Sequence, residues 1–199
     1  MIAIIDYGMG NLRSVQKALE NVGARTQVTQ KREDIRKASK VVLPGVGAMR
    51  PAMKRLNEIG LIPTLKESIE EGKPFLGICL GFQLLFERSD EGGDVEGLSI
   101  LQGRVRRFSS LKVPHMGWNQ LKIKTADCAL FKGIEDLSNV YLCHSYYVQP
   151  KDERIIAATT DYGVVFASFV HSRNIYGVQF HPEKSQAVGL TILKNFKEL

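Results

Sequence analysis

Along the first 87 residues the chain repeats one alternation of apolar patterns. Short unbroken runs, Ile2 to Ile5, Lys40 to Pro44 and Lys73 to Ile78, each end in a glycine-containing turn. Behind them come apolar positions three or four residues apart, such as Leu12, Val15, Ala18, Leu19 and Val22, or Ala48, Met49, Ala52, Met53 and Leu56. An unbroken run suits a strand buried on both faces, and the wider spacing suits one face of a helix. Thr26 to Thr29 reads as a further strand and Leu61 to Ile69 as a further helix, stopped at Glu71-Gly72. Strand and helix in alternation predict a parallel sheet covered on both sides.

Beyond Glu87 the pattern changes. Ser89 to Asp94 is a polar, glycine-rich loop, and most later segments alternate as strands: Val105 to Phe108, Asn119 to Ile123, Val140 to Val148, Ile155 to Thr159, Val164 to Val170 and Ile175 to Phe180. A closing helix is expected over Ala187 to Lys197. The predicted fold is α/β, with an open, mainly parallel central sheet flanked by helices and additional antiparallel strands in the C-terminal half. No repeat, linker or low-complexity segment divides it, so residues 1–199 are expected to form a single domain.

Composition narrows the function classes. Hydrophobic residues at 44% and charged residues at 24% are ordinary for a globular domain. The net charge of +6 suits an anionic ligand or an acidic partner surface. No basic run with interleaved aromatics occurs beyond Arg104-Val105-Arg106-Arg107-Phe108, so solvated faces explain most of the charge and no nucleic-acid binding is expected. Three scattered cysteines, 79, 128 and 143, make no disulfide framework and no ligand pair for a metal. Residues 1–6 lack a basic segment and are too short for a signal or a membrane span, so no membrane association and a cytoplasmic location are expected. Asp6 to Asn11 holds a G-x-G, but Arg13 stands where a dinucleotide fingerprint needs its third glycine, and no cofactor is expected.

The stretch Gly77-Ile78-Cys79-Leu80-Gly81 carries the clearest chemistry. Taken alone, Cys79 in an apolar run is an ordinary core residue. Glycines at plus and minus two at a strand-to-helix junction are what a tight nucleophile elbow needs, with sulfur in place of the usual serine oxygen. The apolar spacing after Cys79 predicts a helix through about Glu87, and a thiol at its N-terminus is expected to ionise more readily than a free one. Pro44-Gly45-Val46-Gly47, just past a strand end, is a candidate source of backbone N–H donors for an oxyanion.

A base and its orienter are available. His181 ends an apolar strand and precedes Pro182-Glu183; the X-Pro bond keeps this tripeptide extended, where residues two apart share a side. Glu183 is then placed to hold one imidazole nitrogen while the other faces a thiol. His144, within Tyr141 to Tyr147, is a rival base without a nearby carboxylate.

Pro44 to Gly47, Gly77 to Gln83 and Gly177 to Glu183, in this order, resemble the three signature blocks of the triad (class I) glutamine amidotransferases, a flavodoxin-like three-layer family. Asp6-Tyr7-Gly8-Met9-Gly10-Asn11-Leu12, Pro114-His115-Met116-Gly117-Trp118-Asn119, Tyr141 to Tyr146 and His181 to Ser185 resemble in particular its branch of imidazole glycerol phosphate synthase glutaminases, over essentially the whole chain. The resemblance implies glutamine hydrolysis through a glutamyl thioester on Cys79, with His181 and Glu183 completing the triad. It implies that Gly45, Val46, Gly47 and Leu80 surround the oxyanion, and that Gln83, Glu91, His144, Ser145 and Tyr146 hold the amino-acid end of glutamine. It implies a (β/α)₈-barrel cyclase as a 1:1 partner, contacted through Asn11, Met116, Trp118, Tyr141 and Lys184. The cyclase uses the ammonia to make imidazole glycerol phosphate and AICAR in histidine biosynthesis. Competing readings are another triad glutaminase, a stand-alone cysteine hydrolase or peptidase, and a non-catalytic module with Cys79 in the core.

Overall fold

The computed structural model describes residues 1–109, 111–125 and 127–199. The first half alternates as its pattern predicts: β1 (Ile2–Ile5), α1 (Leu12–Asn21), β2 (Thr26–Thr29), α2 (Arg32–Lys37), β3 (Lys40–Gly45), α3 (Met49–Glu58), α4 (Ile62–Glu70) and β4 (Phe75–Cys79). Helix α2 is absent from the sequence reading. Its six residues bury only Ile35, too few apolar positions to show a period.

After β4 come the single turn α5 (Leu80–Gln83), then β5 (Phe86–Ser89), β6 (Val95–Glu96), β7 (Leu101–Arg107), β8 (His115–Ile123) and β9 (Ser138–His144). The chain ends with β10 (Tyr146–Pro150), β11 (Ile156–Asp161), β12 (Val165–Ser172), β13 (Ile175–Val178) and α6 (Gln186–Glu198). The expected strand from Val140 to Val148 is therefore two, broken at Ser145.

The main sheet runs β2-β1-β3-β4-β13-β12-β10-β7-β5-β6. Its first five strands are parallel, and the antiparallel pairs begin where β13 meets β12. Strand β11 branches from β12 and carries β8, which carries β9. The fold is the expected α/β arrangement of a mixed sheet between helices.

Alternate residues of the parallel strands feed two cores. Ile2, Ile4, Val42, Leu76 and Ile78 pack with Leu19 of α1 and with Ile192, Leu193 and Phe196 of α6. Ala3, Ile5, Val41, Leu43 and Phe75 pack with Ile35, Ala52, Leu56 and Leu65 of the helices on the other side. Burial on both faces is why these strands read as unbroken apolar runs. Among the described residues no helix is long and apolar enough to cross a membrane.

Pairing decides where the chemistry gathers. β3 and β13 flank β4 in parallel, with Gly45 opposite Cys79 and Val178 opposite Ile78. The carboxyl ends of three strands thus bring residues 45–47, Cys79 and His181 to one edge, where open α/β sheets place their sites.

Candidate active site

Cys79 closes β4 with φ 54° and ψ −108°, a backbone conformation that a side chain adopts only under strain. Gly77 and Gly81 permit it. A Cβ on Gly81 would collide with the Leu43 carbonyl oxygen, and one on Gly77 would come within 2.8 Å of the Gly81 carbonyl oxygen. The nucleophile elbow expected from the glycine spacing is therefore present.

The helix expected behind it is not. α5 stops at Gln83, because the carbonyl of Leu84 is taken by Leu98 N–H and that of Leu85 by the N–H groups of Ile100 and Leu101. Phe82, Leu84, Leu85 and Phe86 are all buried, so the apolar run is a core crossing rather than one helical face. One turn has few aligned peptide dipoles, and the helix field expected at the thiol is correspondingly small. The Cys79 sulfur instead lies 3.9 Å from the Cys143 carbonyl oxygen and accepts from the Gln179 amide at 3.7 Å.

His181 and Glu183 meet, with Nδ1 of the imidazole 2.9 Å from Glu183 Oε1, but not through the extended tripeptide expected: His181 is extended, and Pro182–Lys184 turn as a short 3-10 helix that folds the carboxylate back onto the ring. Both side chains are buried, and Glu183 Oε2 has no hydrogen-bond partner among the described residues. A buried carboxylate so poorly solvated favours a cation beside it. Burial alone would lower the His181 pKa, but the Cys79 sulfur and the Glu183 carboxylate outweigh it and hold it up to about 10. The backbone here is clamped by Ser185, whose Oγ donates to the His181 carbonyl at 2.7 Å and accepts from Tyr141 N–H at 3.0 Å.

A cavity of about 270 Å³ opens on this pair. Cys79, Leu80, Gln83, Glu91, His144, Ser145, Tyr146 and His181 line it with Val46 and Gly47; Gly45 lies beside Cys79 in the sheet, and Glu183 sits behind His181. Val46 is 42% exposed and Gly47 has φ 96°, so this turn borders the cavity with little packing over it. The Glu91 carboxylate accepts from Met49 N–H at 2.7 Å, at the start of α3. Gln83 Nε2 donates to the Tyr146 carbonyl at 2.9 Å and to Gln179 Oε1 at 3.1 Å, which leaves Gln83 Oε1 without either bond.

The rival base is removed by its partners. His144 Nδ1 lies 2.7 Å from the Tyr146 carbonyl and Nε2 lies 3.1 Å from His115. Burial, with repulsion from His115 and His181, pushes its pKa down to about 3 in spite of the Tyr146 bond.

Four of the five residues expected at a partner surface cluster. Trp118 and Tyr141 oppose each other in the β8–β9 register with rings 6.0 Å apart, Met116 is 65% exposed beside them, and Lys184 Nζ lies 5.7 Å from the Tyr141 ring. Asn11 is exposed and caps α1 by accepting from Ser14 N–H.

Tyr7 and Gln179 were given no individual role by the sequence reading. Tyr7 is buried and donates to the Pro44 carbonyl at 2.9 Å, anchoring the entry to the 45–47 turn; burial and the nearby Cys79 push its phenol further above the usual range. Gln179 is wholly buried and touches the sulfur. Its signal was available, since it is a polar residue interrupting the apolar strand Ile175 to Phe180. Among the described residues no group of His, Cys, Asp and Glu is arranged to hold a metal ion.

The family model for glutamine amidotransferase class-I matches residues 3–199. The chain is 52% identical over 199 residues to the imidazole glycerol phosphate synthase subunit HisH of Moorella thermoacetica, covering 100% of this chain and 94% of that one. It is 54% identical over 206 residues to the subunit of the same name from Geobacter sulfurreducens, covering 100% and 98%. A crystal structure of a glutamine amidotransferase superposes with a TM-score of 0.78 at 17% identity, covering all of both chains, a likeness of fold.

Proposed function

Because the chain belongs to the class-I glutamine amidotransferase family, we propose that it is the glutaminase subunit of an imidazole glycerol phosphate synthase. In this reading it hydrolyses glutamine and passes the ammonia to a cyclase subunit of histidine biosynthesis. The observation that carries the chemistry is the convergence of Cys79 at its strained elbow with the His181–Glu183 pair in one cavity.

The Cys79 sulfur attacks the side-chain amide carbon of glutamine, forming a C–S bond and a tetrahedral oxyanion. Leu80 N–H, the first of α5 and without an intrahelical acceptor, and a backbone N–H of the 45–47 turn donate to that oxyanion. Imidazolium at His181 protonates the amide nitrogen, the C–N bond breaks, and ammonia leaves with Cys79 held as a glutamyl thioester. Neutral His181 then takes a proton from water, hydroxide adds to the thioester, and collapse returns glutamate and the sulfur of Cys79. Glu183 keeps the proton of His181 on Nδ1 and leaves Nε2 for these transfers. Gln83 Oε1 and the Ser145–Tyr146 backbone take the amino-acid end of glutamine, with Glu91 at the cavity wall.

Each oxyanion donor contributes about 10²- to 10³-fold in turnover. The exposed Val46–Gly47 part of this turn, beyond the tightly packed Gly45, is therefore a place where a partner can switch the rate. The partner is a 1:1 (β/α)₈-barrel cyclase, seated on Met116, Trp118, Tyr141 and Lys184 with Asn11 at the margin.

Ammonia release from glutamine, measured with and without the cyclase and its nucleotide ligand, tests the reading. Hydrolysis is expected to rise steeply with the liganded partner and to vanish in Cys79→Ala. Activity indifferent to the partner would remove the synthase assignment, and activity that survives Cys79→Ala would remove the nucleophile.

A further inference from the structure

The antiparallel β8–β9 pair sets His115 opposite His144, and both imidazoles are buried. Their hydrogen bonds admit one proton arrangement. The Tyr146 carbonyl has no proton to give, so His144 Nδ1 donates to it at 2.7 Å. In a neutral ring His144 Nε2 must then accept, and His115 Nδ1 donates to it at 3.1 Å. His115 Nε2 must accept in turn, and Asn119 Nδ2 donates at 3.3 Å. The orientation of the Asn119 amide is settled independently: Nδ2 also donates to the Asp161 carbonyl at 2.9 Å, and Oδ1 accepts from Gln120 N–H at 2.8 Å.

The result is a directed chain from Asn119 of β8, which is also tied to the Asp161 carbonyl of β11, to one carbonyl, that of Tyr146. Gln83 Nε2 donates to the same carbonyl, and through Gln179 the network reaches the Cys79 sulfur. A proton added to either histidine would turn two N–H groups against each other. The surroundings oppose that state. Phe108 and Phe166 pack on both rings, and Tyr162 stacks on His115 at 3.8 Å. The charged group that faces His144 is His181, which repels a second cation, and burial lowers the pKa of His115.

We propose that His115 and Asn119 are positioning residues for the glutamine site, which set the tautomer of His144 and thereby hold the Ser145–Tyr146 backbone against Gln83. Neither residue lines the cavity, and neither has a part in the triad chemistry. The proposal rests on the glutaminase reading given above. It predicts a defect in binding glutamine rather than in turnover, because a misplaced Tyr146 carbonyl weakens ground state and transition state alike.

Two variants of the complex with its cyclase separate hydrogen bonding from packing. His115→Phe keeps an aromatic ring beside Tyr162 but strands His144 Nε2, and His115→Gln restores one donor and one acceptor. The KM for glutamine is expected to rise about tenfold in His115→Phe with kcat within about threefold, and to return most of the way in His115→Gln. A His115→Phe enzyme with unchanged KM, or a kcat loss that His115→Gln does not relieve, would overturn the proposal. Imidazole ¹⁵N NMR of the unaltered protein gives a readout independent of activity and of how the variants fold. His144 and His115 should both be neutral Nδ1–H tautomers at pH 6 to 8, and an Nε2–H tautomer at His144 would overturn the relay even if glutamine is hydrolysed. If the tautomers are as expected and no glutamine is hydrolysed by the complex, the glutaminase reading fails and the positioning role falls with it.

Discussion

The proton on His181 is decided by its two neighbours. An imidazole at 3% exposure would ordinarily be neutral, and here Cys79 and Glu183 reverse that preference. The sign follows from linkage: a group whose folded pKa is raised contributes stability fully present below its ordinary value of about 6.5, and loses it as pH rises through about 10. Glu183→Gln removes one of the two charged supports and leaves Nδ1 a neutral amide as its partner. The His181 titration, followed by NMR, is expected to move from the alkaline range towards 6.5. Turnover should fall by about 10²- to 10⁴-fold, the usual scale of acid–base catalysis. A titration that stays where it was would show that Glu183 does not hold the proton. His144 is the contrasting case in the same cavity: an equally buried ring, tied to a carbonyl and another imidazole, is kept neutral.

At the scale of elements, the elbow depends on backbone packed against backbone. β4 is wedged between β3 and β13, and Gly81 lies so close to Leu43 that no side chain fits. Gly81→Ala must displace β3 or α5, which costs about 1–3 kcal/mol in an overpacked core, and β3 leads directly into the 45–47 turn. The expected outcome is a lower urea midpoint together with slower alkylation of Cys79 by iodoacetamide. Unchanged stability and unchanged alkylation would mean the elbow tolerates a methyl group. The glycine pair was legible in the sequence because a tight turn constrains neighbours at fixed spacing. The length of α5 was not, since its end is set by residues 98–101 capturing the carbonyls of Leu84 and Leu85. The break at Ser145 was hidden for a similar reason: β9 belongs with β8 and β10 with β7 and β12, a partition made between strands.

For the whole molecule, the exposed Met116 and Trp118 are the informative surface. They project from β8 one residue to either side of Gly117, and Met116 is paired in register with Cys143, whose carbonyl oxygen lies beside the Cys79 sulfur. A partner seated on this face is one strand away from the nucleophile. Trp118→Ala, which removes a half-exposed ring, should leave the unfolding midpoint nearly unchanged and weaken cyclase binding by about 2 kcal/mol, roughly 30-fold. Calorimetric titration of the two subunits would show it, and binding of unaltered strength would move the partner surface elsewhere.

The sequence by itself determined the features that depend on neighbours along the chain. These are the βα alternation, the glycine-flanked cysteine and the placing of a carboxylate two residues beyond His181. Each follows from dihedral limits and side-chain periods acting over a few residues. The tertiary structure decided which distant groups share protons: Gln179 on Cys79, Gln83 on Tyr146, and His115 on His144. Those contacts depend on strand order and register between segments up to 100 residues apart. Register is fixed by the summed burial and pairing of whole strands, so no local pattern contains it.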